Sequence, residues 1–178
     1  LEGKVTLQRG ARAPKAGELS YAEAVNGADI VVLALPYDAA LATITSLDLR
    51  GKTVVDISNP VTPDYSGLTL GHTTSAAEEL QQAAPDANLV KAYNTIFSAL
   101  FDLPEAATAG VPVFLAGDDE PAVDAVAGLV QASGFAVQKT GKLDAARLLE
   151  PLGMLNIRLG YGLGQGTSIA PAWLRLSA

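Results

Sequence analysis

Residues 28–36, "ADIVVLALP", and residues 52–60, "KTVVDISNP", decide the fold class. Each is a short apolar run, rich in β-branched side chains and stopped by proline. A strand with one wet face alternates apolar and polar residues. A run without alternation suits a strand covered on both faces, as in a parallel sheet between helical layers. Three more stretches read as strands: "ANLVKAYN" (87–94), "VPVFLAG" (111–117) and "FAVQKTG" (135–141). "KVTLQRG" (4–10) reads as a short strand that ends at a basic turn.

Helical patterns lie between these runs. "SYAE" (20–23) and "SAAE" (75–78) fit the capping box, in which Ser accepts from a backbone N–H and Glu three residues on reaches back. "DDEPAVDAVAGLVQASG" (118–134) has acidic residues and a proline at its front and a glycine at its end. The alternation of strand and helix predicts an α/β layered fold with a parallel sheet. Residues 143–164, "LDAARLLEPLGMLNIRLGYGLG", have helical period but are interrupted by Pro151 and glycines. They are too apolar for a wet surface helix, so they either close the core or meet a second subunit. The expected division is 1–142 for the sheet-bearing domain and 143–178 for this C-terminal helical segment.

The 178 residues suit one buried core. Hydrophobic residues make up 49% and charged residues 17%, a globular composition. The net charge of −7 argues against a nucleic-acid or anionic-membrane surface. With no cysteine, disulfides, thiolate metal sites and a thiol nucleophile are excluded, and one histidine makes no histidine metal cluster. No apolar stretch reaches the roughly 18 residues of a membrane span, and none near residue 1 has a leader pattern. A cytoplasmic location is the expectation.

Ligands of open parallel sheets bind at the carboxyl ends of the strands. Those ends carry Arg9, Ala34-Leu35-Pro36-Tyr37, Ser58-Asn59-Pro60 and Asn94-Thr95. One cation, amides and hydroxyls are present, but no acid-base pair, so no catalytic side chain is assigned. The lining suits a planar, phosphate-bearing ligand better than hydrolysis. Arg9, with Arg12 nearby, either grips a ribose 2′-phosphate or is a solvated turn arginine. Asn59 is a ligand contact or a turn starter. Asn94 either donates to and accepts from a cofactor carboxamide or caps a turn. Asp56, inside an apolar run, needs a partner and is expected in a structural hydrogen bond. His72 reads as a loop residue. "GYGLGQGTS" (160–168) has spaced glycines but follows a helix, so it is not read as a phosphate turn.

Taken together, "VVLALPYDAAL" (31–41), "GKTVVDISNP" (51–60), "TSAAEEL" (74–80), "LVKAYNTIFSALF" (89–101), "FLAGDDEPA" (114–122) and "GKLDAARLLEPLGMLNI" (141–157) resemble the NADPH-dependent oxidoreductases related to coenzyme F420-dependent NADP reductase. They are also similar to the nucleotide-binding domain of STEAP-type ferric reductases. The resemblance implies a Rossmann-like three-layer fold with a mostly parallel sheet, a dinucleotide domain that binds NADP(H) and exchanges a hydride with a deazaflavin (F420) or flavin. It implies a small-molecule redox partner and a homodimer, with the C-terminal segment at the interface. It places Arg9 and Arg12 of "QRGAR" near the 2′-phosphate. Leu35, Pro36 and Tyr37 would lie along the dinucleotide, and Asn94 and Thr95 near the nicotinamide; Ala34 and Asn59, at the same strand ends, complete the candidate cofactor contacts. The family also begins with a strand, a G-x-G-x-x-G turn and a helix, a unit of ~30 residues that would precede "KVTL". That unit is not found here, so a longer working polypeptide is expected. The rival expectation is a non-catalytic nucleotide-sensing or dimerisation module of the same fold.

Overall fold

Leu33 of one apolar run and Asp56 of the other are register partners in neighbouring parallel strands. The computed structural model describes residues 5–174 and 176. Its main sheet has five strands in the order β3 (Ile30–Leu33), β4 (Thr53–Asp56), β5 (Asn88–Lys91), β6 (Pro112–Gly117) and β7 (Ala136–Lys139). Strands β3, β4 and β5 are mutually parallel. The sheet is therefore mostly parallel, as expected, with one reversal: β6 runs against β5, and β7 runs with β6. The link from β5 to β6 holds only a 3₁₀ turn, Ser98–Asp102, and the four-residue α4 (Glu105–Thr108). It lacks the long crossover helix that usually returns a chain to a parallel neighbour.

Burial on both faces explains the unbroken apolar runs. On one face, Val54 and Leu89 pack with Ile44 of α2 (Tyr37–Ile44) and Leu80 of α3 (Ala76–Ala83). On the other, Val55 and Val90 pack with Val126 and Val130 of α5 (Glu120–Ala132). Each such side chain contributes about 1.5–3 kcal/mol when removed from water.

The helix starts follow local chemistry. Ser20 and Glu23 close both halves of a capping box at α1 (Tyr21–Asn26). Ser75 Oγ accepts from the Glu78 N–H at α3, and Asp119 caps α5 by accepting from the Ala122 N–H. Gly134, at φ +84°, takes the left-handed turn that ends α5. Helix α6 (Ala146–Ile157) forms despite Pro151 and continues into a π-helical turn, Arg158–Gly162. Arg147 on α6 grips Glu78 on α3 and holds its carboxyl below the usual carboxylate range.

The front of the chain departs from expectation. Of the strand expected over 4–10, only Gly10 pairs: with Ala11 it forms β1 (Gly10–Ala11), beside β2 (Leu19–Ser20). Lys4 lies outside the described residues. Residues 5–8 instead form one wall of a groove of about 550 Å³ that runs along the outer edge of β3 as far as Ala34 and Leu35. Strand β3 ends the sheet on that side, and Val32 is 44% exposed. Alternating side chains do not pair a strand without a neighbour at hydrogen-bonding distance. Among the described residues, no helix is long and apolar enough to cross a membrane.

Candidate functional site

Strands β4 and β5 end side by side, and the polar residues that follow them meet α6. The Asn59 side-chain amide donates to the Asn94 carbonyl (2.8 Å), and the Asn94 amide donates back to Asn59 Oδ1 (2.9 Å). Asn94 Nδ2 also donates to the Leu149 carbonyl on α6 (2.9 Å). One turn further, Gly153 sits so close that an added Cβ would lie 2.7 Å from the Asn59 amide and 2.8 Å from the Asn94 carbonyl oxygen. A turn beyond that, Asn156 donates to the Thr95 carbonyl (3.1 Å). One side of α6 thus carries a polar seam with one glycine at the closest approach, beside its buried apolar Ala146 and Leu149.

Three side-chain atoms here are buried and have no hydrogen-bond partner among the described residues: Ser58 Oγ, Asn94 Oδ1 and Thr95 Oγ1. Native interiors leave few such atoms, and each costs about 1–3 kcal/mol if it stays unmet. All three lie on the loops that follow the adjacent strands β4 and β5.

Beneath this seam lies a charge cluster. Lys91 Nζ donates to Asp56 Oδ2 (2.6 Å) and to the Ser58 carbonyl (2.6 Å), and pairs with Glu150 Oε1 (2.8 Å). Asp56 Oδ1 accepts from the Ser58 N–H (2.8 Å). Glu150 accepts from the N–H groups of Ala76 and Ala77 at the start of α3. None of the three charged side chains is more than 1% exposed. Asp56 therefore does make a structural contact, but its main partner is an ion. Lys91 and Glu150 were missed at the sequence level. The available signal was a second charge in an apolar run, since Lys91 is the register partner of Asp56.

The other sequence-level candidates lie on neighbouring loops. Ala34 and Pro36 are exposed and Leu35 half-buried after β3. Tyr37 turns inward, and its hydroxyl donates to Glu79 on α3 (2.5 Å). Burial, helped by Glu79, pushes its phenol pKa up. Arg9 and Arg12 flank β1, are exposed, and make no side-chain hydrogen bond among the described residues. His72 sits exposed in the loop before α3 at φ 60°. The groove beside β3 includes Ala34 and Leu35 but not Asn59, Asn94 or Thr95. The unpartnered buried atoms are the sharper marker, because grooves occur wherever a sheet edge is open.

A mostly parallel sheet, helices on both faces and polar strand ends define a Rossmann-like α/β domain. A family described as "NADP oxidoreductase coenzyme F420-dependent" matches residues 2–60. The F420-dependent NADP reductase of Methanocaldococcus jannaschii is 31% identical over 175 residues, 93% of this chain and 77% of that protein. The chain therefore belongs to the F420-dependent NADP reductase family, a family of NADP-dependent oxidoreductases. A crystal structure from Arthrobacter sp. FB24, carrying the name of an F420-dependent NADP reductase, superposes with a TM-score of 0.78 at 29% identity, covering 89% of this chain and 76% of that one. Plasmodium falciparum pyrroline carboxylate reductase with NADP bound, at 14% identity and a TM-score of 0.52, covers 84% of this chain and 53% of that one; it shares the fold alone.

Proposed function

We propose that this chain binds NADP(H) across the ends of β3, β4 and β5 and exchanges a hydride with a deazaflavin or flavin-type acceptor. The observation that carries this reading is the trio of buried unpartnered atoms, Ser58 Oγ, Asn94 Oδ1 and Thr95 Oγ1. A nicotinamide carboxamide has an NH₂ donor and a carbonyl acceptor. Asn94 Oδ1 can accept from the first, and the Ser58 and Thr95 hydroxyls can donate to the second. The residues present thus fit the group. The bound dinucleotide supplies the hydride, and what remains for the protein is position and exclusion of water. Asn59 and α6 keep the Asn94 amide from rotating. Leu35 and Pro36 would wall the dinucleotide after β3. The family relationship favours F420 as the acceptor over a flavin.

Fluorescence titration with NADPH, followed by oxidation on adding F420 or FMN, tests the proposal. Micromolar binding with acceptor-dependent oxidation is expected. Asn94→Ala should weaken NADPH binding about tenfold, the loss of roughly one buried hydrogen bond. Binding without oxidation by either acceptor would instead favour the sensing module.

Arg9 and Arg12 are the proposed contacts of the 2′-phosphate. Charge-assisted bonds of this kind are worth about 1.5–3 kcal/mol. Arg9→Ala or Arg12→Ala should therefore lower NADPH affinity about tenfold or more while leaving NADH affinity nearly unchanged. If neither arginine alters the ratio, the assignment is wrong.

We further propose a homodimer built on the outward side of α6. This helix buries Ala146, Leu149, Glu150, Gly153 and Asn156, while its Leu148 and Leu155, and Tyr161 in the turn that follows, are each more than half exposed. Apolar residues left outside on a helix that already buries its other face suit a second copy of the chain. Leu155→Glu should shift sedimentation from dimer to monomer.

A further inference from the structure

Lys91 and Asp56 both hold Ser58, and Glu150 pairs with Lys91. The Ser58 N–H is held by Asp56 and its carbonyl by Lys91, so both backbone groups of one loop residue are tied to a buried ion cluster. Its own hydroxyl is left without a partner. A buried ion cluster is a poor source of stability, because desolvation offsets most of the attraction. Its structural consequence is local: it sets the direction of Ser58 and fastens α6 and the start of α3 to the same point through Glu150.

We propose that Lys91 is a positioning residue for the nicotinamide seat. It acts through Ser58: its ammonium holds the Ser58 carbonyl, which aims the Ser58 hydroxyl at the carboxamide. The Glu150 contact keeps α6, and with it Asn94, in step. The proposal rests on the reading of Ser58, Asn94 and Thr95 as that seat.

The test compares two ligands on the full-length protein. NADPH carries the nicotinamide; 2′-phospho-ADP-ribose carries the adenine, the 2′-phosphate and the pyrophosphate but no nicotinamide. Lys91→Met should raise the Kd of NADPH about tenfold, leave that of 2′-phospho-ADP-ribose within twofold, and return the emission of bound NADPH toward that of free NADPH. Lys91→Met alone strands two buried carboxylates and can fail to fold. The triple variant D56N/K91M/E150Q removes the charges together, retains an acceptor for the Ser58 N–H, and still lacks the donor to the Ser58 carbonyl; it should show the same split. Equal loss for both ligands, or a lower melting temperature with neither Kd changed, would overturn the positioning role. Failure of the underlying reading looks different. Ser58→Ala and Asn94→Ala would then leave NADPH binding unchanged with Lys91 intact, and the role of Lys91 would fall with the seat.

Discussion

Gly153→Ala is expected to lower turnover about 100-fold while costing little stability. The new Cβ would lie 2.7 Å from the Asn59 amide and 2.8 Å from the Asn94 carbonyl oxygen. One of these is backbone at the end of β5, so rotating a side chain does not relieve the clash. Either α6 moves outward or the paired amides of Asn59 and Asn94 separate. Overpacking costs about 1–3 kcal/mol, and alanine returns up to about 1 kcal/mol over glycine inside a helix. The net loss is therefore small, about 0–2 kcal/mol. Hydride transfer is less forgiving, because a displacement of about 1 Å at the reacting centre can cost ~100-fold. Stopped-flow oxidation of NADPH beside urea denaturation gives both numbers. Turnover within twofold of wild type would mean that α6 does not set the geometry of the seat.

Lys91→Met should have the largest effect on stability, a loss of about 3–5 kcal/mol. Both carboxylates it leaves behind are buried: Asp56 is 0% and Glu150 1% exposed. Each keeps backbone N–H donors but loses its counter-ion. Domains of this kind are stable by only about 5–15 kcal/mol, so the variant sits near its folding limit at 37 °C. The charge-free triple variant should recover most of the loss, because it removes the ions together with their desolvation cost. Urea melts of the three proteins decide the matter. A loss below about 1 kcal/mol for Lys91→Met alone would mean that water reaches the cluster and screens it.

The strands of the core were readable because their cause is local. Val54 and Val55 are neighbours buried on opposite faces, and only a strand covered on both sides asks for two adjacent apolar side chains. The helix starts were readable for the same reason, since Ser20 and Glu23 complete their cap within four residues. Asn94 was left open between a turn cap and a ligand contact. The choice depends on where the Leu149 carbonyl and Asn59 lie, and both are remote in sequence. The strand expected before Arg9 failed because pairing needs a neighbour, which side-chain alternation does not supply.

Order along the chain, two-sided burial, helix caps and the family relationship were settled by the residues alone, because each rests on short-range pattern. Strand direction, the ion cluster under Ser58 and the polar contacts of α6 were settled only in three dimensions. Lys91 meets Asp56 because the parallel register puts them opposite one another. Lys91 also meets Glu150, because α6 passes the residues that follow β4 and β5. Contacts of that range are chosen by the packing of the whole chain, where the cost of burying a charge is set by what lies beside it.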